Sequence, residues 1–278
     1  MWLALGIRSD EGRDDAMLRN MADLAKKAGG KNLPSESIFD PVLCEIMYSW
    51  FCPPGGRILD PFAGGSVRGI VAGCLDRDYT GLDLRREQID ANAAQIEIAK
   101  GRKPEWLCAD SREMGKALPP GFVCDFVFSC PPYADLEVYS DIPEDLSNMK
   151  YPDFLLAYRD IVVKSCSRLV EDSFAAFVVG EARGKSGHYY GLIPDTIRAF
   201  EDAGLRFYNE MVLVTQIAAK ALTVAEGFVK SRKIGKIHQN VLVFVKGDPV
   251  KAAMKCRIDK QDLVDALCEA EGDVEVSA

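Results

Sequence analysis

The stretch RILDPFAGGSVRGIVAGCL, Arg57–Leu75, decides how the rest of the chain reads. RILDPF is a short apolar strand that ends on Asp60, Pro61 and Phe62, and SVRGIVAGCL has the apolar spacing of a helix. Ala63, Gly64, Gly65 and Ser66 join them. Glycines let the backbone turn tightly and come close to a ligand, and the helix that follows offers amide groups at its N-terminus. This is not a dinucleotide-binding G-x-G-x-x-G pattern, and it lacks the lysine of a phosphate loop.

Outward from this unit, strands and helices alternate. DYTGLDL, EWLCAD, CDFVFS and FAAFVVG read as strands, and RREQIDANAAQIEIAK, YPDFLLAYRDIVVKSCSRLV and LIPDTIRAFEDAG as helices. RFYNEMVLVTQ and NVLVFVKG close the series with no helical pattern between them, so one of the two is expected to run antiparallel. The pattern predicts an α/β fold: a doubly wound, mostly parallel, seven-stranded sheet with helices on both faces. Before the first strand, Pro41 suits a helix start and Pro53-Pro54-Gly55-Gly56 ends that helix. Residues 14–30 read as a further helix. The expected division is an N-terminal extension (1–36), a catalytic domain (37–250) and an acidic C-terminal helix or tail (251–278).

The chain has 278 residues, 48% of them hydrophobic, which is ample for a core of this kind. The apolar start is shorter than a signal-peptide core, and no long uncharged run suggests a membrane span. The expectation is a soluble, cytoplasmic protein with no membrane partner. Nine cysteines stand singly and only two histidines are present, so no metal site is expected. A net charge of −8 argues against phosphate binding by the surface as a whole, but KSRKIGKIH, Lys230–His238, is locally basic.

In open α/β sheets, ligands sit outside the carboxyl ends of the strands. Four successive strand ends carry polar or turn-forming residues: Asp60–Ser66, Asp83-Leu84, Asp110-Ser111, and Ser129 followed by Cys130-Pro131-Pro132-Tyr133. Read alone, Asp83 is either a hydrogen-bond acceptor for a ribose or a first-turn acid of the next helix, and Asp110 is either a ligand contact or a turn cap.

Together, in this order, the motifs resemble the S-adenosylmethionine-dependent DNA amino-methyltransferases, which modify N6 of adenine or N4 of cytosine. The resemblance runs from about Ser37 to the last strand. It implies S-adenosyl-L-methionine as cofactor. Asp60–Ser66 would hold the methionine part, Asp83-Leu84 the ribose and Asp110-Ser111 the adenine, and the segment around Asp40-Pro41 would line the pocket. It also implies that Cys130–Tyr133 is the catalytic turn, acting on a base flipped out of duplex DNA, in a bacterial or phage-infected cell. The family has Asp, Asn or Ser where this chain has Cys130, and Ser129 lies one residue earlier. Hydrogen bonds from the target amine to fixed acceptors on such a turn favour the charge that develops on nitrogen, and Tyr133 would stack on the base.

DNA contact is expected from the segment between the last two strands, through Lys220, Lys230, Arg232, Lys233 and Lys236. The glycine-rich loop Gly180–Gly191 is a second substrate-facing candidate, and residues 134–150 form a lid or pocket wall. Target reading is left to loops or to a homodimer. The alternatives are a methyltransferase acting on RNA or a protein amide, and a non-catalytic nucleotide-binding protein.

Overall fold

The computed structural model describes residues 2–8, 39–133, 140–184, 186–214 and 227–256. The helix read at 14–30, residues 134–139 of the expected lid, Lys220 and the acidic segment from residue 257 lie outside the described residues.

Seven strands form one sheet: β1 (Arg57–Asp60), β2 (Asp78–Asp83), β3 (Glu105–Cys108), β4 (Cys124–Ser129), β5 (Leu169–Val179), β6 (Arg206–Val214) and β7 (His238–Lys246). Their order is β3-β2-β1-β4-β5-β7-β6. The first five strands are parallel neighbours, and β7 is antiparallel to both β5 and β6. This is the mostly parallel, doubly wound sheet that the alternating pattern predicts, with the expected antiparallel strand at β7. β5 starts five residues before its apolar run at Phe174, because Leu169 already pairs with Cys124 of β4.

The helices are α1 (Pro41–Phe51), α2 (Val67–Cys74), α3 (Arg86–Ala94), α4 (Met114–Ala117), α5 (Tyr151–Arg168), α6 (Leu192–Asp202) and α7 (Pro249–Cys256). Period-2 alternation along the strands feeds two cores. Phe126, Phe128, Ala176, Val178, Val241 and Val243 pack against α1, α2 and α7 on one face. Val127, Ala175, Phe177, Leu242 and Phe244 pack against α5 and α6 on the other. Residues 251–256 belong to α7, which buries Ala252 and Cys256 in the first core.

The chain start joins this core as well. Trp2 is buried, with its indole N–H bonded to Glu45, and Gln95 bonds both the amide and the carbonyl of Arg8 at 2.7 Å. Strand order reverses between β1 and β4, and the carboxyl ends of strands at such a reversal are where open α/β sheets bind ligands.

Candidate functional site

At the end of β1, Asp60 is fully buried and accepts four hydrogen bonds. Oδ1 takes the Phe62 amide at 3.1 Å and Ser129 Oγ at 2.5 Å, and Oδ2 takes Arg68 Nε at 2.6 Å and the Tyr79 hydroxyl at 2.7 Å. Arg68 then donates to the carbonyls of Phe62 (2.5 Å) and Ala63 (2.8 Å), which folds the glycine turn around its guanidinium. Burial opposes the charge on Arg68, but Asp60 outweighs it and holds the guanidinium protonated. Asp60 and Arg68 therefore shape the turn from beneath.

The far side of the turn is open. Gly64 has φ +51°, and a Cβ built there would meet nothing within 4 Å. That left-handed conformation suits glycine, and the space beside its Cα is open. Its amide donates to Asp83 Oδ2 at 3.0 Å, and its carbonyl accepts Asn92 Nδ2 at 2.7 Å. Asn92 is held by Gln88 (3.1 Å), and Gln88 by Arg85 (2.7 Å), so a polar face of α3 fixes the turn. Ser66, at the head of α2, is buried and its Oγ has no hydrogen-bond partner among the described residues. Such an orphaned hydroxyl carries a desolvation cost unless a ligand satisfies it.

At the end of β2, Asp83 is half-buried and also accepts the Arg85 amide at 2.9 Å. Burial raises its pKa above the ordinary carboxylate value, and the Arg85 and Gly64 amides offset part of that rise. One amide bonds each oxygen among the described residues, and each has acceptor capacity for another donor. Leu84, also half-buried, accepts Cys108 Sγ through its carbonyl.

Asp110 caps the turn after β3 by accepting the Arg112 amide at 2.8 Å, and its carboxylate is gripped by the Arg112 guanidinium at 2.7 Å. Ser111 Oγ donates to the Pro61 carbonyl at 2.6 Å and so binds the β3 end to the β1 turn. Asp40 caps α1 through the Val42 amide (2.8 Å) with Pro41 in the first turn, and it is exposed. Its neighbour Phe39 lies under the Arg68 guanidinium, 4.5 Å from ring centroid to Cζ.

Ser129 is fully buried and committed: it donates to Asp60 and accepts the Phe62 amide at 3.1 Å. It is a clamp between the two turns. Cys130 is half-buried against the first core, Pro131 is buried, and Tyr133 packs with the second core. Cys130 Sγ lies 3.8 Å from the Tyr133 hydroxyl, which also bonds the Gln239 amide. The Tyr133 ring covers Gly180, where an added Cβ would come within 3.3 Å of it.

Beyond residue 139, the expected lid is a compact turn. Asp145 accepts the Ser147 amide (2.9 Å) and Ser140 Oγ (2.7 Å), and Asn148 donates to the carbonyls of Ser140 and Ile142. Lys230, Arg232 and Lys233 are exposed, and Lys236 is half-buried with its ammonium 3.3 Å from Asn240 Oδ1.

The structure thus joins residues 60–66, 83–84, 110–111 and 129–133 at the carboxyl ends of β1 to β4, and puts Lys230–Lys236 on the segment that leads into β7. Sequence reading missed Arg68, Asn92, Gln88 and Gln239. A charge inside the apolar run SVRGIVAGCL marks Arg68, and the buried i, i+4 amide pair marks Gln88 and Asn92. Nothing local marks Gln239.

No protein-family model matches the sequence, and no curated protein matches it. Solved structures do match. The chain is similar to a methyltransferase from Pyrococcus furiosus with a TM-score of 0.52 and 14% identity, over 84% of this chain and 98% of that one. TrmN from Thermus thermophilus matches with a TM-score of 0.49 and 16% identity over 74% of this chain; the match spans about half of that protein's length, 48%. Magnesium protoporphyrin IX methyltransferase (ChlM) from Synechocystis PCC 6803, solved with bound SAM, matches with a TM-score of 0.48 and 12% identity, over 81% of this chain and 91% of that one. No described helix is long and apolar enough to cross a membrane. The chain has the seven-stranded, Rossmann-like fold found in the Pyrococcus methyltransferase.

Proposed function

We propose that the protein is an S-adenosyl-L-methionine-dependent methyltransferase acting on the exocyclic amino group of a nucleobase, adenine N6 or cytosine N4, in DNA. The observation that carries this reading is the Ser129 clamp. It fixes the Cys-Pro-Pro-Tyr turn against the glycine turn, so a cofactor crevice and an aromatic, proline-stiffened turn share one wall.

The residues present fit the cofactor. Ser66 offers a buried hydroxyl in need of a partner, Gly64 a bare backbone, and Asp83 a carboxylate with acceptor capacity for ribose hydroxyls. Ser111 and Pro61 join the walls of the crevice. The Asp110 carboxylate is held by Arg112, so a contact to the adenine amine requires sharing it with that guanidinium. When bound, the cofactor supplies an electrophilic methyl group on a sulfonium.

The remaining work falls to the turn. Ser129 is fully buried and its oxygen already accepts the Phe62 amide, so the amine's acceptors are Cys130 and the Pro131 carbonyl. Tyr133, held by Gln239, offers a ring to stack on the base. No enzyme nucleophile is needed, because positioning and fixed acceptors lower the barrier.

A second reading, a nucleotide-binding protein without transfer, draws on one observation: with Ser129 committed, thiol Sγ is the side-chain acceptor at the turn, and sulfur accepts weakly.

The test is incubation with labelled cofactor and either unmethylated genomic DNA or total RNA, followed by digestion to nucleosides and mass spectrometry. Label in N6-methyladenine or N4-methylcytosine from DNA is the expected result. Label in RNA alone moves the substrate to RNA. Cofactor binding without label in either polymer favours the second reading.

A further inference from the structure

Beside the crevice, the two loops flagged as substrate-facing meet. Gly180–Gly191 follows β5, and residues 232–237 lead into β7, its antiparallel neighbour. Between them lies an open cleft of about 420 Å³, lined by Arg183, Tyr189, Arg232, Lys236 and His238 with the apolar Ile234 and Ile237. No acidic side chain lines it among the described residues. Three of the lining side chains carry fixed positive charge, on a chain whose net charge is −8.

The cleft is assembled by contacts within each loop and one between them. The Arg183 guanidinium lies 3.7 Å from the centroid of the Tyr189 ring and donates to the Gly187 carbonyl at 2.9 Å. Lys233 reaches across to the same glycine: a Cβ added at Gly187 would sit 3.0 Å from its Nζ. Lys236 is steadied by Asn240 at 3.3 Å. Planar guanidinium groups present forked donors that match phosphate oxygens, and an Arg–Tyr stack is a surface on which a base can pile.

Its position gives it meaning. Gly180, which receives the Tyr133 ring, lies three residues before Arg183, and Gln239, which holds the Tyr133 hydroxyl, directly follows His238. The same two strand ends thus support the catalytic turn and the cationic cleft.

The geometry points to a nucleic-acid backbone site. The cleft takes a phosphodiester next to the base held at the Cys130–Tyr133 turn, with the Arg183–Tyr189 pair against the flanking nucleotide. This rests on the nucleobase reading above. An acidic peptide would also meet the charge, but it has no use for an aromatic platform adjoining a base-stacking tyrosine.

The test is fluorescence anisotropy of a labelled single-stranded oligonucleotide binding to the full chain. The variants are Arg232→Ala/Lys236→Ala, Arg183→Lys, and Lys103→Ala, a charge change at the opposite end of the sheet. Cofactor binding is measured separately by calorimetry. Removing two phosphate contacts is expected to weaken binding roughly 10–100-fold and to flatten the slope of log affinity against log salt by about 1.4. Arg183→Lys, which keeps the charge and loses the planar fork, should weaken binding several-fold, and Lys103→Ala should leave it unchanged.

Equal binding by the double variant and the wild type overturns the proposal, as does a polyglutamate peptide that competes as well as an oligonucleotide of equal charge. The double variant's loss of binding stands as support even if no methyl transfer is found. Transfer to nucleic acid that is unimpaired in the double variant overturns the cleft and leaves the nucleobase reading intact.

Discussion

Ser129 Oγ donates to Asp60 Oδ1 at 2.5 Å and accepts the Phe62 amide at 3.1 Å, joining the ends of β4 and β1 across the point where strand order reverses. Ser129 and Asp60 are both fully buried. Replacing Ser129 with Ala leaves a buried acceptor and a donor short of one partner each, which costs about 1–3 kcal/mol. Urea unfolding of the ligand-free protein should register that loss. A Ser129→Ala protein of wild-type stability with transfer abolished would instead make this hydroxyl an acceptor for substrate.

Arg68 is the counterpart on the other side of Asp60. Arg68→Met removes one member of a buried ion pair together with two bonds to the turn carbonyls. The expected cost is about 3–5 kcal/mol, because the remaining charge stays buried without its partner. Ser66→Ala should behave in the opposite way. Its hydroxyl bonds nothing among the described residues, so thermal stability should not fall, whereas cofactor affinity should drop by roughly tenfold, the worth of one hydrogen bond. Calorimetric titration with cofactor separates the two effects.

Asp83 sets a pH dependence. Burial raises its pKa above that of an ordinary aspartate, despite the Arg85 and Gly64 amides. A raised pKa means that the carboxylate takes up a proton at a higher pH than a solvated aspartate, and the protonated form loses acceptor capacity for ribose hydroxyls. Cofactor affinity should therefore weaken on the acid side starting above the usual carboxylate range. Asp83→Asn should bind weakly at every pH and lack that acid limb. An acid limb that persists unchanged in the Asn variant would assign it to another group.

Cys130 tests the chemistry directly. With Ser129 fully buried and accepting the Phe62 amide, the strength of the side-chain acceptor at this turn rests on residue 130. Cys130→Asn supplies a carbonyl oxygen in place of a weak sulfur acceptor, and should raise the rate of methyl transfer about tenfold, the worth of one hydrogen bond in the transition state. Cys130→Ala should reduce the rate only modestly, because the Pro131 carbonyl remains. Single-turnover assays on DNA read both.

Much of this was legible in the chain before any coordinates. Alternating apolar runs separated by Gly64-Gly65, Pro131-Pro132 and similar breaks impose strands and helices in turn, and short loops leave few ways to wind them. The antiparallel β7 is what the sequence suggests when no helical pattern separates RFYNEMVLV from NVLVFV. What local sequence could not carry is how polar groups are shared out. Asp60 reads as a ligand-facing acid, but four donors from residues up to 69 positions away converge on it. Asp110 is both the cap and the partner of Arg112 because a neighbouring guanidinium, two residues on, competes for the same oxygens. The cationic cleft needed two loops, some 50 residues apart in sequence, to meet at Gly187 and Lys233.

Gln239 is a residue of this kind, 106 positions from the tyrosine that it holds. Its amide donates to the Tyr133 hydroxyl while Gly180 leaves room for the ring. If that bond orients Tyr133 for stacking, Gln239→Leu should lower kcat about tenfold with little change in KM for the cofactor, since the glycine turn and Asp83 are untouched. Gln239→Glu should restore much of the rate, because a carboxylate accepts from the same hydroxyl. Gly180→Ala brings a methyl to 3.3 Å from the ring and should push Tyr133 by a few tenths of an ångström, with a similar fall in kcat. Equal rates for Leu and Glu at position 239 would mean that the bond holds β7 to the turn without setting the ring.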